Sequence, residues 1–224
     1  MDYVAFDLTV TFVLIIWVML VVLYISRLVF SHVVSSKKDP VSARYISRKS
    51  IHILGGGVVA LLVPFIYREP YTPFILSLML TLMLVFRRKN GRMMEWFQET
   101  NNQYEVNFTV MWGISILAGW LLSGSPWFGV LPASFMSFGD GVTGIARTLV
   151  SGRRHKGIEG TVAMILTVLP IGAVLGYGGM ISGIIGALAE KQKLVDDNIM
   201  IPLASLLVLF LFKAFLPQFL KSLY

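Results

Sequence analysis

Residues 106–139 read VNFTVMWGISILAGWLLSGSPWFGVLPASFMSFG, thirty-four positions without a charge, and the residue that ends the run is Asp140. Hydrocarbon holds no water to satisfy backbone polar groups, so a run like this must be helical, at about 20 apolar residues per crossing. This one is too long for a single pass, and Ser123-Gly124-Ser125-Pro126 breaks it near its middle. The same reading extends to the rest of the chain. Apolar runs occupy 8–26, 51–67, 70–86, 160–189 and 199–216, and 160–189 breaks again at Gly176-Tyr177-Gly178-Gly179. The expected architecture is all-α: one polytopic transmembrane helical bundle of about eight passes, with 1–224 as a single integral membrane domain. With 224 residues, 56% hydrophobic and 14% charged, the composition excludes an ordinary soluble domain.

The run 8–26 is too long for a signal-peptide core and follows Asp2 and Asp7 instead of a basic stretch, so it reads as a retained first helix. The absence of cysteine excludes disulfides and thiolate metal sites. Basic residues report topology: 16 of the 19 fall in 27–49, 87–92, 147–156 and 191–193, which eight passes put on one face. That face is expected to be cytoplasmic, with both termini opposite. The net charge of +7 is therefore read as orientation, with no nucleic acid expected as a partner.

Most groups capable of chemistry collect at that face. Asp140 lies among Gly139, Gly141 and Gly144, and an acid at the edge of hydrocarbon is expensive enough to be functional by default. The bland alternative is a private pair with Arg147, on the same helix face. Arg153, Arg154, His155, Lys156 and Glu159 follow within a short loop. Taken alone, the arginines could simply anchor headgroups. Carboxylates, glycine-rich turns and several cations together are what phosphoryl transfer requires, the acids holding a divalent metal and the cations neutralising phosphates. Arg48, Lys49 and His52 share one helix face nearby, suited to a phosphate or to anchoring. Asp197 or Asn198 could cap the last helix, and Asp196 with Asp197 could form a second acidic cluster. The stretch 87–105 is expected to be a solvated amphipathic loop with no chemistry.

These motifs, SFGDGVTGIAR, GRRHKGIEGT and DDNIMIPL, with RKSIHILGG before them, resemble in order those of the CTP-dependent lipid kinases, which include the dolichol, phytol and CTP-dependent diacylglycerol kinases. The matching positions are Arg48, Lys49 and His52; Gly139 and Asp140; Lys156, Glu159 and Gly160; and Asp197, Asn198 and Pro202. Gly157 and Thr161 depart from serines common in that pattern, and the interval from Asp140 to Lys156 is short. The resemblance implies CTP as phosphoryl donor, Mg2+ as cofactor and the hydroxyl of a membrane lipid, an isoprenoid alcohol first, as acceptor. It implies catalytic roles for Asp140, Lys156 and Glu159 and a metal shell of Asp140, Glu159 and Asp197. Phosphate binding would fall to Arg48, Lys49, His52, Gly139, Arg153, Arg154, Gly160, Thr161 and Asn198. Phosphatidate cytidylyltransferases are similar in kind. From other classes, an ion or solute transporter would use Asp140 and Arg147 as a coupling site, and a non-catalytic scaffold would use the glycine-rich helices as interfaces.

Overall fold

The computed structural model describes residues 3–36, 39–150, 157–192 and 194–221, with side chains from Leu8 onward and without those of Leu149 and Val150. No strand occurs among the described residues, and the helices form eight arms. We label them α1 (3–35), α2 (40–66), α3 (71–89), α4 (104–123), α5 (127–150), α6 (158–175), α7 (176–189) and α8 (197–215). Six stretches, namely α1 from Leu8, α2, α3, α4, the joined 158–189 and α8, are long and apolar enough to cross a membrane. The protein is thus a multi-pass helical membrane protein, and its lipid-facing surface carries exposed Phe12, Leu122, Leu166 and Leu207.

The stretch 158–189 is folded back on itself as the glycine cluster predicts. Gly172 meets Gly179 and Val168 meets Gly183, so α6 and α7 run antiparallel. The reversal occurs at Gly176, whose φ of +75° is open to glycine and costly for other residues. Eight arms then alternate in direction. Lys213 Nζ donates to Ser123 O at 2.7 Å at one end, whereas Arg147 pairs with Glu190 and Asn107 Nδ2 donates to Asp196 at 2.6 Å at the other, the basic end.

Helix boundaries differ from the apolar runs because helices continue past the oil. α1 runs to Ser35, nine residues beyond the expected end, and α2 begins at Pro40 instead of 51. Asp39 caps α2 by accepting from the Val41 and Ser42 backbone N–H groups at 2.9 Å, with proline pre-set for the first turn. Hydrogen bonds from the Ser42 side chain and backbone hold the Asp39 carboxyl below its ordinary value. Arg48, Lys49 and His52 consequently lie within a continuous helix and not at its entrance.

The stretch 87–105 is not a solvated amphipathic loop. Met94, Phe97 and Gln98 are buried, and Trp96 Nε1 donates to Ser26 Oγ at 2.9 Å. Arg88 pairs with Glu105 at 2.7 Å and also donates to the carbonyls of Glu99 and Asn102. Gln98 accepts from Met94 N at 2.6 Å and donates to Glu105 at 2.8 Å. Arg88 and Glu105 are satisfied internally while Lys89, Arg92 and Glu95 stay exposed, and the apolar residues plug the basic end between α1, α3 and α4.

α5 is the central arm. Phe128 through Ser134 are all buried, and Leu131, Phe135 and Met136 share a core with Ile116 of α4, Met164 of α6 and Leu209 of α8. Gly119 of α4 and Gly129 of α5 cross with backbones in contact, and a methyl on Gly119 would overlap the Gly129 backbone. Gly119→Ala is therefore expected to destabilise the protein by at least about 1–3 kcal/mol, read as a lower thermal midpoint in detergent. An unchanged midpoint would mean that the two arms separate at no cost.

Candidate active site

Among the described residues α1, α2 and α5 each carry a wide π-turn, at Val21–Ile25, His52–Gly57 and Phe135–Gly139, and the last two pack on one another. A π-turn loosens the regular backbone ladder and is common at functional sites. In α2, the Leu54 carbonyl accepts from Trp17 Nε1 at 2.9 Å and the Gly56 carbonyl accepts from Trp112 Nε1 at 3.0 Å. The irregular segment is thus satisfied by neighbouring helices, as a polar backbone inside a membrane requires. His52 begins one π-turn and Asp140 follows the other, so their packing brings the two residues together.

Lys49 Nζ lies 2.5 Å from Asp140 Oδ2, and His52 Nδ1 lies 3.3 Å from the same oxygen. All three residues are at most 5% exposed. Asp140 does not pair with Arg147. The guanidinium of Arg147 donates both Nη atoms to Glu190, at 2.7 and 2.9 Å, a buried bidentate clamp between α5 and the end of α7. Carboxylate oxygens of Asp140, Glu190 and Asp197 lie within 4.8 Å of one another. Asp196, not Asp197, caps α8, accepting from the Asn198 backbone N–H at 2.9 Å, and this leaves Asp197 in the first turn facing the other two acids.

The remaining expected site residues are distributed around this centre. Asn198 is buried, its Nδ2 donating to Asp196 at 2.9 Å while its Oδ1 has no hydrogen-bond partner. Thr161 is also buried with an unpartnered Oγ1. Gly160 lies under the Arg147 guanidinium, where any side chain would collide. Gly139 faces Met164 and Val168, so its small size serves helix packing and not a phosphate. Glu159 folds back over Gly157 and does not join the acidic group, whose third member is Glu190. Arg48 turns away from Asp140, lying 3.7 Å from Glu99 and over the Tyr104 ring at 4.8 Å. Arg153, Arg154, His155 and Lys156 lie outside the described residues.

Sequence reasoning missed Glu190. Its signal was the one that picked out Asp140, since Glu190 ends the charge-free run 160–189. Three carboxylates gather here, with Lys49 paired to Asp140 and Arg147 to Glu190. An all-oxygen donor set of three converging carboxylates suits a hard divalent cation such as Mg2+.

An apolar cavity of about 360 Å³ adjoins the site, walled by α1, α2, α3 and α4. His52 belongs to both: its ring lines the cavity, stacks on Phe108 at 3.9 Å, and presents Nδ1 to Asp140. No family model, no curated protein and no solved structure matches the chain.

Proposed function

We propose that this protein is a membrane phosphotransferase that moves the γ-phosphoryl group of CTP to the hydroxyl of a membrane lipid, an isoprenoid alcohol first, at the basic, cytoplasmic end of the bundle. The observation that carries this reading is the position of His52, which joins a buried carboxylate–cation cluster to an apolar cavity open to lipid. A lipid alcohol needs that arrangement, with its tail among helices and its oxygen beside groups that handle phosphate. CTP and isoprenoid specificity rest on the motif resemblance, and the cytoplasmic side rests on the basic loops.

In the reaction, the lipid oxygen forms a bond to the γ-phosphorus as the bond to the β–γ bridging oxygen breaks, and the electron pair of that bond leaves with CDP. The hydroxyl proton passes to His52, which the Asp140 carboxylate orients through Nδ1. Asp140, Glu190 and Asp197 would hold Mg2+, which neutralises charge on the phosphates when bound. Arg147 holds Glu190 in place, and Lys49 does the same for Asp140. Arg153, Arg154 and Lys156, outside the described residues, would supply cations for the nucleotide.

The purified protein, given γ-labelled CTP, Mg2+ and polyprenol, phytol or diacylglycerol, is expected to yield labelled lipid monophosphate and CDP. Release of pyrophosphate with a CDP-lipid product would instead establish cytidylyl transfer. Absence of any lipid product overturns the reading.

A further inference from the structure

The cavity beside His52 has chemistry of its own. Its walls are mostly apolar, including Val18 of α1, Val59 of α2 and Leu80 of α3; the hydroxyls of Tyr67, Ser77 and Thr109 on those walls are spent on neighbouring residues, and the charged groups gather at its basic end. There, Arg48, His52 and Glu105 line it, each buried and each with an atom lacking a hydrogen-bond partner: Arg48 Nη1, whose nearest carboxylate is Glu99 at 3.7 Å, His52 Nε2, on the side of the ring away from Asp140, and Glu105 Oε2. Buried polar atoms normally find partners, so three such residues around one cavity mark a place made for a polar group from elsewhere. The helices set them in register. Arg48 and His52 are one turn apart on α2, Glu105 and Phe108 are nearly one turn apart on α4, and His52 stacks on Phe108 while Arg48 covers Tyr104.

The unpartnered atoms define the head group. Arg48 donates, Glu105 Oε2 accepts, and His52 Nε2 accepts when Nδ1 donates to Asp140. A hydroxyl accepts from Arg48 Nη1 and donates its one hydrogen to His52 Nε2 or to Glu105 Oε2. A phosphate, all acceptor and anionic, would face the Glu105 carboxylate.

The cavity also has a side entrance. α1 and α3 meet at the basic end through Val22, Leu84 and Phe97 of one cluster. Farther from that end, Ile15 of α1 and Met79 of α3 line the cavity while 41% and 61% exposed to the lipid-facing surface. From Arg48 to Val59 the α2 wall extends about 16 Å at the ordinary helical rise. A slot of this depth and volume, closed above by the 90–103 plug, fits one apolar chain lying along the helices.

We propose that this cavity is the acceptor's binding site: a single apolar chain enters sideways from the bilayer between α1 and α3 and seats its hydroxyl against Arg48, His52 and Glu105. The phosphotransferase reading gives the bound hydroxyl its fate, but binding itself needs no nucleotide. The test uses a long-chain primary alcohol with a diazirine near its tail, photolysed in proteoliposomes without CTP. Cross-links are expected within 14–22 of α1 and 76–84 of α3, with an excess of the same alcohol competing and its monophosphate competing less well. Val59→Trp and, from the opposite wall, Leu80→Trp are each expected to lower this labelling roughly tenfold. Labelling spread over outward residues such as Leu166 and Leu207, or equal labelling in both variants that retain the wild-type thermal midpoint, overturns the site. Equal competition by alcohol and monophosphate overturns the head-group assignment. Cavity labelling without phosphoryl transfer would leave the site standing and remove the kinase reading, whereas phosphoryl transfer with labelling elsewhere would do the reverse.

Discussion

Asp140→Asn is expected to cut lipid phosphorylation by at least about 10³-fold and to destabilise the protein at the same time. Both effects come from one oxygen. Asp140 Oδ2 neutralises Lys49 at 2.5 Å and orients His52 at 3.3 Å, with all three side chains enclosed. The amide leaves the Lys49 ammonium buried without a counter-charge, and breaking a buried pair from one side costs about 3–5 kcal/mol. Lower activity in a weakened protein would be ambiguous, so the informative comparison is the double variant Lys49→Met with Asp140→Asn. Removing both charges leaves no stranded ion, and its thermal midpoint is expected to return close to wild type. Its activity is not expected to return, because the metal ligand and the group that orients His52 are still missing. Measured by detergent thermal unfolding and labelled-CTP turnover, a stable double variant with activity within tenfold of wild type would refute a chemical role for Asp140.

The residues that could be read correctly from sequence were those whose physical cost is local. A carboxylate at the end of 106–139 is expensive whatever surrounds it, so Asp140 could be singled out without a fold, and the turn residues at 123–126 and Gly176 mark helix ends, although Gly55–Gly57 stay within a helix. What could not be read was pairing. Asp140 and Arg147 share a helix face, yet each takes a partner from another arm, Lys49 from α2 and Glu190 from α7. Helical spacing shows which residues share a face and is silent on what packs there. Glu190 was passed over because it borders a loop with Lys191, where acids are cheap, and only the fold of α7 against α5 reveals that it is fully enclosed. Glu159, which the motif resemblance placed in the metal shell, instead folds over Gly157. The stretch 87–105 misled for a related reason. Its charges suggested water, but Arg88 spends its donors on Glu105 and on loop carbonyls, which lets Met94 and Phe97 go inside.

Glu190 therefore offers the second large effect, and one that separates structure from chemistry on the far side of the site. Glu190→Ala removes both acceptors of the Arg147 guanidinium, which is 5% exposed and already has an unpartnered Nε. The stranded cation is expected to cost about 3–5 kcal/mol, enough to lower the thermal midpoint sharply. Pairing the change with Arg147→Met removes the charge and should recover most of that loss, since apolar replacements of buried ion pairs are often neutral or better. If Glu190 only tethers α7 to α5, the recovered double variant will phosphorylate lipid normally. If it completes a cation site with Asp140 and Asp197, the double variant will be stable yet impaired, and raising Mg2+ will restore part of its rate while leaving the wild-type rate unchanged. The second pattern is the expected one. Lys49 and Arg147 already serve Asp140 and Glu190, yet Asp197 brings a third carboxylate oxygen within 4.8 Å of theirs, and a bundle built only for stability has no reason to converge three acids there.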